Sequence, residues 1–301
     1  MSQHESPTHA DAAASFMLPA TLRLGAVHLT VIDLDRSVPF YKDAIGLRLH
    51  RREGGVAAMG VGEEDLLVLY EELTAQRAGR HAGLYHYALL FPSREELARA
   101  ALRLVATNTP IQGASDHGTH EAIYLPDPDG NGIELAADRP RDRWPRPLNY
   151  ARGPHPLDLD GLLATVDGEE PHSEAGLGRS VGHVHLHVGD LGRGLGFYRN
   201  VLGFELVTVI PGAAAFVSAG GYHHHLGFNV WRGEGVPPAP ADRVGLRHWT
   251  VILEEQEEVE AVRERVRAAG IATEEREGGG FLARDPWGIA VLFISPDAPT
   301  A

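Results

Sequence analysis

The strongest constraint on this chain is that it repeats itself. The stretch LGAVHLTVIDLDRSVPFYKDAIGLRL (residues 24–49) matches VGHVHLHVGDLGRGLGFYRNVLGFEL (residues 181–206). Each reads as a strand, an Asp-Leu pair where a helix N-cap belongs, a Phe-Tyr pair, a glycine helix stop and a second strand. Two further units have a different flavour. GLYHYALLF from Gly83 runs through an amphipathic helix to EAIYLPDPDGNGIEL, and GLRHWTVIL from Gly245 runs through another to GFLARDPWGIAVLF. Both end in strands around an Asp-Pro turn. The spacing predicts an α+β chain of four βαβββ units, two in residues 21–138 and two in residues 181–296. Residues 1–20 read as a disordered lead-in. Residues 139–180, rich in proline, glycine and charge, read as a linker with one short helix near Leu159 to Val166.

With 301 residues the chain is long enough for two domains. It has no cysteine, which removes disulfides, thiolate metal sites and cysteine nucleophiles. A formal charge of −14 argues against nucleic acid or an anionic membrane as a partner. No apolar run reaches the roughly 20 residues of a membrane span, and the N-terminus lacks the pattern of a signal peptide. The expected location is the cytoplasm. The 17 histidines are an excess, and three of them stand together as His223, His224 and His225, where burial demands partners.

The four units and the motif DPDGNGIEL resemble the vicinal oxygen chelate superfamily of glyoxalases, bleomycin resistance proteins and extradiol dioxygenases. The catechol 2,3-dioxygenase type is the nearest match. The resemblance covers nearly the whole chain outside the termini and the linker. It implies that units pair into glyoxalase/extradiol-dioxygenase-like half-barrel modules. The concave face of such a module holds a divalent metal, bound by the first strand of each unit and by a last strand. In that family the first-strand ligand lies seven residues before the helix cap. This register selects His86 in unit two, His183 in unit three and His248 in unit four, but Ala26 in unit one. Seven residues after Asp127 stands Glu134; seven after Asp285 stands Leu292, which binds no metal. The resemblance therefore implies a metal set of His86, Glu134 and His183, with unit two facing unit three. The other pairing, of units one and two, would use His28 in place of His183. His28, His185 and His187 otherwise read as hydrogen-bonded core residues or outer-face residues.

The same resemblance implies a catalytic histidine in the YHHHLGFN run. Strand alternation favours His225, with His224 as the alternative. It also implies an active-site tyrosine, Tyr124, and an active-site histidine, His117, with His120 as the alternative. Aromatics such as Phe228 are candidates for the ring pocket. The implied activity is that of an Fe(II)-dependent extradiol dioxygenase, with Mn(II) as the alternative metal. Its partners would be a small aromatic diol and O2, and its product a 2-hydroxymuconic semialdehyde. The family also implies a homo-oligomer as one assembly state. Two rivals remain. A glyoxalase-like isomerase would want a second carboxylate, for which unit one offers only Glu63, Glu64 and Asp65. A non-enzymatic small-molecule-binding protein would need no ligand set.

Overall fold

The computed structural model describes residues 16–148, 150, 153–172 and 176–296. Unit one comprises β1 (Arg23–Val31), α1 (Leu34–Phe40), β2 (Arg48–Glu53), β3 (Val56–Val61) and β4 (Glu64–Glu71). Unit two comprises β5 (Gly83–Phe91), α2 (Arg94–Ala106), β6 (Gly113–Asp116), β7 (His120–Pro126) and β8 (Gly132–Asp138). The linker carries β9 (His155–Pro156) and α3 (Leu159–Leu163). Unit three comprises β10 (Ser180–His187), α4 (Leu191–Leu195), β11 (Glu205–Ile210), β12 (Ala214–Ser218) and β13 (Leu226–Asn229). Unit four comprises β14 (Gly245–Ile252), α5 (Gln256–Ala268), β15 (Thr273–Glu275), β16 (Phe281–Arg284) and β17 (Ala290–Ile294). The helices begin where the capping chemistry lies. Asp33 accepts from Asp35 N, Ser93 from Glu96 N and Asp190 from Arg193 N, and Glu255 forms a capping box with Glu258.

In every unit the first strand lies parallel to the last: β1 to β4, β5 to β8, β10 to β13, and β14 to β17. The first strands then pair antiparallel across the linker, β5 with β10 and β1 with β14. Unit two thus closes on unit three, and unit one on unit four. The ranges 21–138 and 181–296 each hold two units, but neither closes a module by itself. The pairing of units one and two that would have brought His28 to the metal set is not formed. His28 lies opposite His248, whereas His86 lies opposite His185.

Repeat features that local structure does not need join the units that follow one another in sequence. Tyr41, from the Phe-Tyr pair of unit one, donates its hydroxyl to Asp127 Oδ2 in the Asp-Pro turn of unit two (2.9 Å). Tyr198 does the same to Asp285 Oδ2 between units three and four (2.8 Å). All four side chains are buried, so each hydroxyl–carboxylate bond replaces the water both groups lose. The lead-in expected to reach residue 20 overlaps the described residues from Phe16 on. Leu18 is buried, its N–H donates to Gly203 O, and it packs with the core of unit three; residues 1–15 lie outside the described residues. In the linker, Leu162 of α3 is buried with Val166 against the same continuous core. Among the described residues no helix is long and apolar enough to cross a membrane.

Candidate metal centre

Three elements bring the expected ligand set together. His86 projects from β5, Glu134 from β8 and His183 from β10, all buried. Glu134 Oε2 lies 3.0 Å from His86 Nε2 and 3.1 Å from His183 Nε2. The three ligand atoms fall within 4.8 Å of one another. Local backbone explains why the glutamate can reach. Gly132 opens β8 beside Tyr85, and a Cβ there would meet the Tyr85 carbonyl oxygen at 2.0 Å. Only glycine lets β8 lie close enough to β5 to place Glu134 beside His86.

The donor set fits a divalent cation. Ligands about 2.1 Å from a metal and at right angles to each other stand about 3 Å apart, which is the separation of Glu134 Oε2 from each imidazole. His86 Nε2 and Glu134 Oε1 are buried without an aligned hydrogen-bond partner. Orphaned buried polar atoms of this kind are costly unless something binds them. Two imidazoles and one carboxylate match the facial set of non-haem Fe(II) oxygenases, which leaves coordination positions open.

The other histidines enclose this set. His117, His120 and His223 stack in a column, with centroids 4.5 Å apart for His117–His120 and 4.6 Å for His120–His223. His120 Nε2 lies 3.1 Å from Glu134 Oε1, and its Nδ1 bonds Thr119 Oγ1 (2.8 Å). His117 Nε2 bonds the Tyr124 hydroxyl (2.7 Å), and Tyr124 faces Glu134 across β7 and β8. The two histidines left open by the sequence therefore occupy different places. His117 holds the tyrosine and His120 approaches the glutamate.

The expectation for His225 needs correcting. His225 Nδ1 accepts from Ala219 N–H (3.2 Å) and lies 3.3 Å from Ser218 Oγ, turned away from the ligand set. His224 instead stands over His183, with centroids 4.2 Å apart. The physical reason is that β13 begins only at Leu226. Residues 222–225 form an irregular approach to the strand, so period-two alternation does not apply to them. His223 and His224 both face inward: His223 Nδ1 lies 2.9 Å from His224 Nδ1, and His223 Nε2 lies 3.0 Å from Asp138 Oδ1.

The electrostatics are those of neutral imidazoles around carboxylates. Burial depresses His183, and drives His185 and His224 well below the ordinary imidazole value. Burial likewise takes His223 down to about 3, and His117, His187 and His225 to about 4. Burial opposes ionisation of Glu134, but the facing His183, with His120 and His86, holds it well below the usual carboxylate range. Asp138 is likewise held low, against burial, by its hydrogen bond with His223. An ionised Asp138 can only accept, so His223 must donate through Nε2. A neutral His223 then presents a bare Nδ1, which accepts from His224 Nδ1–H. A neutral His224 is left with an unprotonated Nε2, the form of a base.

Several site residues were not found in the sequence. Asp138 and Asn229 carry no local signature. Asn229 donates from Nδ2 to His185 Nε2 (2.9 Å), and its Oδ1 lies 2.8 Å from His187 Nδ1. His185 and His187 are therefore hydrogen-bonded, as the core reading has it, but they line the site. The His185 ring lies 5.0 Å from His86. Tyr85, half-exposed, stands over His86, His185 and His187 and meets Trp231 edge-on at 5.3 Å. Phe228, a candidate for the ring pocket, is fully buried on the other side of β13, against Tyr198.

Comparison with known proteins places this geometry in context. The sequence model of the Glyoxalase/Bleomycin resistance protein/Dioxygenase superfamily matches residues 23–135 and 180–293. A protein of Bacillus subtilis (strain 168) named catechol-2,3-dioxygenase is 42% identical over 278 residues, covering 90% of this chain and 96% of that protein. Among solved structures, a putative dioxygenase from Bacillus subtilis subsp. subtilis str. 168 superposes with a TM-score of 0.62 at 15% identity. That match covers 91% of this chain and 86% of that one. Glyoxalase I from Zea mays superposes with a TM-score of 0.58 at 19% identity, over 91% of this chain and 92% of its own. These two structural likenesses establish the shared fold.

Proposed function

Because the chain belongs to the Glyoxalase/Bleomycin resistance protein/Dioxygenase superfamily, we propose that the module of units two and three is the reaction centre of an Fe(II)-dependent extradiol dioxygenase. It opens a catechol ring beside its two hydroxyls with O2 to give a 2-hydroxymuconic semialdehyde. The observation that carries this reading is the buried Glu134 carboxylate between the imidazoles of His86 and His183. The 42% identity to a protein named catechol-2,3-dioxygenase supports it.

His86, Glu134 and His183 would hold the metal. When bound, Fe(II) would supply Lewis acidity toward catechol hydroxyls and the redox chemistry that O2 requires. The chain's own groups supply the rest. His224 Nε2 would take a proton from a catechol hydroxyl and hold it for return later in the reaction. It is oriented for this through His223 and Asp138. Tyr124, held by His117, keeps its proton, because burial and the neighbouring Glu134 raise its pKa well above 10. It is therefore a donor to a substrate oxygen throughout. Tyr85 and Trp231, which meet edge-on beside the His86 and His185 rings, would offer apolar surface to the substrate ring.

A glyoxalase-type reaction is the competing use of the fold. By register, the counterpart of Glu134 in unit three is Gly227, and a Cβ there would meet the His185 ring at 3.1 Å. No second carboxylate enters from that strand. The test is metal analysis after anaerobic purification, with O2 uptake on catechol. Iron, stoichiometric O2 consumption and a yellow product are expected. Zinc or nickel with isomerase turnover and no O2 uptake would refute the assignment.

A further inference from the structure

The module of units one and four repeats the architecture of the other with the opposite chemistry. Matched strand by strand, His248 stands where His86 does, Ala26 where His183 does and Leu292 where Glu134 does. Leu292 and Ala26 cannot hold a cation. Yet the module is not filled in: a cavity of about 980 Å³ opens on this face, at the upper end of the range for small-molecule sites. The protein carries 27 basic against 41 acidic residues, but this cavity is lined by seven arginines against four carboxylates. Six of the seven arginines are held in ion pairs with carboxylates in or beside the cavity, among them Arg247 with Glu72, so the lining offers positioned guanidinium groups where the other module offers Glu134.

Its walls are flat. The His28 and His248 rings stack with centroids 3.8 Å apart, and His28 Nδ1 bonds the Tyr70 hydroxyl (3.0 Å). Arg247 lies over the Tyr70 ring at 4.3 Å, anchored through Nε to Thr30 Oγ1 (3.0 Å) and through a second nitrogen to Glu72 (2.9 Å). Val68 and Leu292 add apolar floor. Thr250, only 3% exposed, lines the same cavity, and its hydroxyl has no hydrogen-bond partner. Burial, then the arginines Arg276, Arg247 and Arg284, hold His248 near a pKa of about 4. Burial lowers His28 as well, so both rings stay neutral beside the guanidinium groups.

The geometry points to a second ligand site in this module, for a small planar organic carboxylate. Its flat body would lie against His28, His248 and Tyr70, its carboxylate toward Arg247, and a polar edge would receive the Thr250 hydroxyl. Guanidinium forks suit carboxylates, and the mixed apolar and cationic lining favours an organic anion over inorganic phosphate. The site is independent of the chemistry at Glu134 and stands whether or not that reading holds.

The test is isothermal titration calorimetry of the full-length metal-loaded protein with benzoate, benzamide and inorganic phosphate. Benzoate should bind saturably with a dissociation constant below about 1 mM. Benzamide and phosphate should bind at least about 10-fold more weakly. Arg247→Met should weaken benzoate about 10-fold or more, and Thr250→Val, which keeps the side-chain shape, about five-fold. Glu134→Gln should leave benzoate affinity unchanged, which separates this cavity from the metal centre. The inference is overturned by absence of saturable benzoate binding, by equal binding of benzamide or phosphate, by loss of binding in Glu134→Gln, or by wild-type affinity in Thr250→Val.

Discussion

Glu134→Gln is the most informative single change, because it alters charge and leaves shape nearly constant. Glu134 is 1% exposed and is the only carboxylate of the ligand cluster, with its Oε2 at 3.0 and 3.1 Å from the two imidazoles. An amide retains one oxygen but not the anionic charge that a divalent cation requires. Disturbing even the outer partners of a metal site costs 10–100-fold in affinity, so loss of the anionic ligand itself should cost at least about 100-fold. At a metal concentration 1,000 times the wild-type dissociation constant, binding stabilises the folded state by about 4 kcal/mol. That corresponds to a rise in Tm of about 8–16 °C for a protein of this size. With affinity reduced 100-fold, the same concentration gives about 1.4 kcal/mol and a rise of about 3–6 °C. Thermal unfolding with and without Mn(II), an air-stable stand-in for Fe(II), reads this difference. A variant whose metal-dependent rise equals that of the wild type would show that Glu134 is not a ligand, and the reaction centre assigned here would fall with it.

Two further outcomes follow from the same geometry. His224→Phe should lower turnover about 10²–10⁴-fold with iron content retained, whereas His225→Asn should stay within about three-fold; steady-state O2 uptake would expose a reversed order. Acid stability should be steep. His28 sits near a pKa of about 2, His223 about 3, and His117, His187, His225 and His248 about 4, each depressed first of all by burial. A depressed pKa means that this stabilisation is present above the unfolded value of about 6.5 and is lost as pH falls toward the folded values. At pH 5 the unfolded chain would bind roughly five more protons on these six groups, a slope of about 7 kcal/mol per pH unit. Metal-free protein should therefore unfold within about two units below pH 6.5, as followed by circular dichroism, and a native signal persisting to pH 4 would contradict the burial of these rings.

The repeat made much of the fold legible, because strand, cap and turn are local and recur with the same spacing. Asp33, Asp190 and Ser93 announce their helices by side chains that bond the backbone two or three residues on. The family register reached His86, Glu134 and His183, since in a regular strand the residue number sets the face. That rule failed at His225, where the chain is not yet a strand and number no longer sets direction. It also could not reveal Asp138 or Asn229, whose importance lies in partners 85 and 44 residues away.

The sequence by itself determined four units, their caps and turns, and which of them could supply metal ligands, because those properties depend on neighbours a few residues apart. The ligand register implied that unit two faces unit three and left the pairing of units one and two as the alternative; the tertiary structure decided between them by pairing β5 with β10 and β1 with β14. Four similar first strands present alike edges, and which two meet depends on contacts between residues far apart in the chain. That choice put Glu134 and Asp138 among imidazoles in one module and left arginines around a cavity in the other.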